Sequence, residues 1–143
     1  MLPDLLQRLP SAEAEKKIDI ALALAAIDAR NTRVASTVGP ILVAALRPQT
    51  TETKPDEAVL KAIAAIGEPV VDEIFKALEA ADGIGALNAD NRKALFMALQ
   101  RLGRQAYSEA NIYLLRKYQQ KERYRDVQEA AGKALAAVLR PER

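Results

Sequence analysis

The chain has 143 residues, no cysteine, no histidine and a formal net charge of +2. These counts exclude disulfides, thiolate metal sites, cysteine nucleophiles and any zinc site or catalytic relay built on imidazole. Half of the residues are hydrophobic, mostly Ala, Leu, Ile and Val, with only 4% aromatics, and this abundance of helix formers without alternating β-branched runs predicts an all-α fold.

In chain order, residues 2–9 read as a short turn of helix with Leu5, Leu6 and Leu9 on one side, stopped by Pro10. Ser11 stands as an N-cap with Glu13 and Glu15 in the first turn, and a helix is expected to about Asp28 with Ile20, Leu24 and Ile27 inward. Asn31-Thr32 opens a second helix whose buried face is Val34, Val38, Ile41, Leu42 and Ala45. Gly39-Pro40 predicts a kink there, or a true start at Pro40. Residues 47–55 are polar and proline-bounded, hence a loop. A third helix starts at Pro55 or Asp56 with Val59, Ile63 and Ile66 inward, and Gly67-Glu68-Pro69 breaks it. The fourth is driven by Val70, Val71, Ile74, Phe75, Leu78 and Ala81; residues 82–90 then connect, with Asn88 or Asp90 as the next cap. The fifth places Leu95, Leu99 and Leu102 inward, and the sixth Tyr107, Ala110, Leu114 and Tyr118. Residues 117–123 read as a charged break before a last helix from Tyr124 or Asp126, carrying Val127, Ala130, Ala131, Ala134, Leu135 and Val138.

The stretch Lys61-Ala-Ile-Ala-Ala-Ile-Gly67 recurs in degraded form 36 residues on at Met97–Gly103, a further 36 on at Lys133–Leu139, and 39 residues upstream at Leu22–Asp28. Spacings in the mid-thirties indicate stacked helical hairpins. With the Gly67-Glu68-Pro69 corner and the Asp126–Val138 segment, the chain resembles HEAT repeat proteins, of the HEAT-like type also found in phycobilisome lyases. The resemblance implies one domain over 1–143, a right-handed α-α superhelix (an armadillo-like solenoid) of about seven helices in three to four hairpins, with repeats near 11–47, 56–82, 90–119 and 124–140. It departs from the family where an Asp and a basic residue bridge neighbouring repeats: Leu60 and Ala130 stand there, and Arg92 is the best match.

Chemistry is scarce. Glu68, Asp72, Glu73, Glu79 and Asp82 cluster carboxylates on or beside the fourth helix; paired carboxylates can hold Mg²⁺ or move protons, but a solvated helix face is the better explanation, since charged residues are mostly exposed. No phosphate-binding glycine loop is present. Between Arg92 and Arg125, nine basic groups face two acidic ones, net +7, with four tyrosines among them. That pattern suits nucleic acid, an acidic protein partner, or a solvated face. The expected protein is therefore a non-enzymatic, cytoplasmic protein-interaction scaffold without cofactor, metal or membrane span, a monomer or weak homodimer. In HEAT proteins the second helices of the hairpins line the partner-binding surface, so the candidate contacts are Glu68, Asp72, Lys76, Glu79, Arg104, Ser108, Tyr113 and Arg116. The alternatives are nucleic-acid binding through 92–125, or an accessory role in bilin attachment by family analogy.

Overall fold

The structure, a computed structural model, describes residues 14–29, 31–47, 56–82 and 85–140. The expected N-terminal turn of helix, the Ser11 cap and the loop at 48–55 lie outside these residues. Among them the fold is all-helical, with no strand and seven α-helices. These are α1 (Ala14–Asp28), α2 (Thr32–Ala44), α3 (Glu57–Ile66), α4 (Val71–Ala80), α5 (Ala86–Leu102), α6 (Glu109–Lys121) and α7 (Arg125–Leu139). No described helix is long and apolar enough to cross a membrane.

Helix starts follow local chemistry where a polar side chain is available. The Asn31 side chain accepts from the Arg33 and Val34 amides at 2.9 and 3.3 Å, and Asp56 accepts from Ala58 at 2.9 Å, filling donors a helix start leaves open. The start of α5 departs from expectation. It begins at Ala86, capped by Gly85 at φ 128° without a side-chain bond, so Asn88 and Asp90 lie inside the helix. Pro40 does not begin a helix either: α2 is continuous from Thr32 to Ala44 around it. Val34, Val38 and Leu42 are fully buried on one side, while Pro40 is exposed with Ser36 on the other. The carbonyl that proline leaves unbonded therefore lies where water reaches it, and packing of the apolar face holds the helix together.

The helices pack as two rows. In one, α1 contacts α3, α3 contacts α5, and α5 contacts α7 most extensively of all; in the other, α2 contacts α4. Between rows, α1 packs on α2, α2 on α3, α4 on α5, and α6 on α7. Val59, Ile63 and Ile66 of α3, and Leu95, Leu99 and Leu102 of α5, are all buried in one core. Ile27, by contrast, is 46% exposed. It lies on the last turn of α1, at the end of the row.

The 36-residue spacing is also a backbone repeat. Gly67 ends α3 at φ 79°, ψ −139°, and Gly103 ends α5 at φ 56°, ψ −129°. Each leads into a 3-10 turn, Glu68–Val70 and Gly103–Ala106, whose last residues Val70 and Ala106 are buried equivalently. These angles disfavour any residue with a Cβ, and a Cβ on Gly67 would collide with the Gln105 side chain. Gly67→Ala is expected to lower stability by about 1–3 kcal/mol, read as an earlier midpoint in urea unfolding; an unchanged midpoint would show that the corner does not need this conformation.

Beyond the corners the register slips. The first turn has three residues and runs straight into α4; the second has four and is followed by Tyr107 and Ser108 before α6 starts. Gln105 stands where Pro69 presets the shorter turn. Ile112 and Leu115 consequently enter the core, whereas Ala110 and Tyr107, expected inward, are exposed. The expected charged break at 117–123 is also mostly helix, since α6 continues through Lys121.

Candidate functional site

On α4, Val71, Ile74 and Leu78 turn inward. That leaves Asp72, Phe75, Lys76 and Glu79 on a neighbouring face at i, i+3, i+4 and i+7. On α6, Ile112 and Leu115 turn inward, and Leu114, Lys117, Tyr118 and Lys121 repeat the same spacing. The two faces border a groove of about 530 Å³ between α4 and α6, extended by Asp82 at the end of α4. Its lining carries three carboxylates, three ammonium groups and an apolar strip of Phe75, Leu114 and Tyr118.

The floor is anchored to the core. Tyr118 meets the fully buried Phe96 ring edge-on, with centroids 6.3 Å apart at 63°, a favoured aromatic geometry. Burial raises the Tyr118 phenol above its ordinary pKa, and the nearby Glu79 charge adds to the effect. Both disfavour a phenolate, so Tyr118 presents a neutral hydroxyl to the groove.

One end of the groove is fastened by two adjacent links. Lys121 donates to Asp82 at 2.8 Å on the surface, and this hydrogen bond holds the Asp82 carboxyl below its usual pKa. Beneath it, Arg92 donates from Nε and Nη2 to the two carboxylate oxygens of Glu122 at 2.8 and 2.9 Å, and from Nη1 to the Ala81 carbonyl at 2.8 Å. The Arg92 and Glu122 side chains are only 8% and 4% exposed. Glu122 also accepts from the amides of Arg123 and Tyr124. A bidentate guanidinium thus joins α5 to the end of α4 and to the α6–α7 corner.

Of the eight residues expected to contact a partner, the structure gathers Asp72, Lys76 and Glu79 in this groove. Glu68 lies exposed on the 3-10 turn before α4, and Arg116 is exposed on α6 outside the groove lining. Tyr113, 64% exposed, lies under Lys117, whose Nζ is 5.6 Å from its ring centre. Arg104 is stacked over Tyr107 at 4.1 Å. Ser108 serves the helix start, where its Oγ accepts from the Asn111 amide at 3.0 Å and caps α6. The lining residues that were not among the expected contacts are Phe75, Asp82, Leu114, Lys117, Tyr118 and Lys121. Their matched spacing on two helices was the available signal, once α6 was extended to Lys121.

The basic stretch 92–125 changes character when folded. Arg92 is buried against Glu122, and Lys93, Arg101, Lys121 and Arg125 pair with Asp126, Glu57, Asp82 and Glu129. Four of its nine cations are therefore compensated by acids outside the stretch and a fifth, Arg92, by Glu122 within it, so the net +7 of the linear count does not form one field. Among the acids read as a possible Mg²⁺ cluster, Glu73 pairs with Lys76 and Asp82 with Lys121. No three described carboxylates gather in a metal-binding group. Comparison of the chain with protein-family models, with curated proteins and with solved structures gives no match.

Proposed function

We propose that this chain is a short HEAT-like solenoid, a right-handed superhelix of hairpins, that acts as a non-enzymatic scaffold and holds a protein partner in the α4–α6 groove. The observation that carries the reading is the groove itself, in which three acids and three bases surround an apolar strip. Such a surface offers buried apolar anchorage with charges of both signs to set orientation. The repeat assignment is supported by the two glycine corners 36 residues apart and by the two-row packing. Arg92, the best match to the family's bridging basic residue, reaches from α5 to both the Ala81 carbonyl and the α6–α7 corner.

Reversing one charge on each wall, Asp72→Lys with Lys117→Glu, tests the assignment. Both residues are exposed, so the helical circular dichroism should stay as in the wild type. Affinity capture with the double variant is expected to lose the partner retained by the wild type, while Asp28→Lys, on α1, keeps it. Retention of the same partner by the double variant would show that the groove is not the docking site.

A further inference from the structure

A second groove, of about 630 Å³, opens between α5 and α7 in the other row of helices. Its charges are Arg101 from α5, Lys133 from α7 and Arg140 at the end of α7; its apolar part is Met97, Ala136 and Ala137. Lys133, Ala136, Ala137 and Arg140 fall at i, i+3, i+4 and i+7, so they share one face of α7. Among the described residues, no carboxylate and no aromatic ring lines this groove. Arg101 is held by Glu57 at 2.8 Å, while Lys133 and Arg140 make no ion pair among the described residues. A concave surface lined by one sign of charge over low-dielectric walls concentrates its field outward, unlike the α4–α6 groove with its equal charges.

We infer that the α5–α7 groove binds an acidic peptide segment, with carboxylates on Lys133 and Arg140 and a small apolar side chain over Met97, Ala136 and Ala137. Charge complementarity selects an anionic occupant. The small apolar floor selects a peptide over nucleic acid, because base stacking needs aromatic platforms and the chain's exposed tyrosines, Tyr107 and Tyr113, lie outside this groove. Two of the three cations lie beyond the 92–125 stretch, so the linear charge count pointed to a different surface.

The test is fluorescence anisotropy of the full chain with a labelled peptide that places Asp and Glu around a single Val. Binding is expected at about 50 mM salt and should weaken at least tenfold by about 500 mM, as screening shortens the reach of the exposed charges. Lys133→Glu with Arg140→Glu should weaken it at least tenfold with the helical signal retained. Asp72→Lys with Lys117→Glu, which alters the other groove, should bind the peptide as the wild type does. No anisotropy change with the wild type, or equal binding by the Lys133/Arg140 double variant, would overturn the inference. An oligonucleotide of equal charge that binds more tightly than the peptide would overturn it in favour of nucleic acid.

Discussion

Arg92→Ala is expected to destabilise the protein by about 3–5 kcal/mol, the usual result of breaking a buried ion pair from one side. The variant leaves the Glu122 carboxylate, 4% exposed, without its guanidinium, and removes the donor to the Ala81 carbonyl. Two backbone amides remain for Glu122, which favours the lower half of that range. For a chain of this size the loss corresponds to a fall in Tm of roughly 10 °C, measurable by calorimetry or circular dichroism. Replacing both partners by apolar residues, Arg92→Met with Glu122→Leu, should recover most of the loss, because no charge is then left buried. If the single and double variants were equally unstable, the pair would matter for its shape and not for its charges.

Phe96→Ala is the second large effect, at about 3–5 kcal/mol. Phe96 is the largest fully buried side chain and sits among core residues from both rows. Its removal costs the transfer energy of the ring and leaves a cavity that α-helical neighbours can only partly close. It also withdraws the edge contact under Tyr118. Phe96→Leu, which keeps most of the volume, should cost clearly less. A Phe96→Ala loss below about 1.5 kcal/mol, the level of a volume-conserving swap, would mean that the core collapses into the space.

The repeat was legible because it is written in small, local terms. Apolar residues three and four apart and a glycine at the helix end specify α3 and α5 without reference to distant chain, and Asn31 and Asp56 mark helix starts by their own side chains. The start of α5 was hidden because its cap is a backbone conformation at Gly85, and side-chain caps drew the reading onward to Asn88 and Asp90. Tyr107 and Ala110 were misassigned because the 36-residue register holds only as far as Ala106, after which two residues precede α6. The candidate site was less legible still. Pairs such as Arg92–Glu122, Lys121–Asp82 and Arg101–Glu57 join residues 30, 39 and 44 positions apart. Asp82 and Glu57 lie outside the 92–125 window, so a count over that window cannot cancel them and overstates the field of the basic stretch.

The double link between residues 81–82 and 121–122 has a consequence for the charges left in the groove. It clamps α4 and α6 at their C-terminal ends, whereas no ion pair or side-chain hydrogen bond among the described residues joins their N-terminal halves. Because Lys121 and Asp82 are taken up by each other and Lys76 by Glu73, the charges lining the groove that form no ion pair among the described residues are Asp72, Glu79 and Lys117.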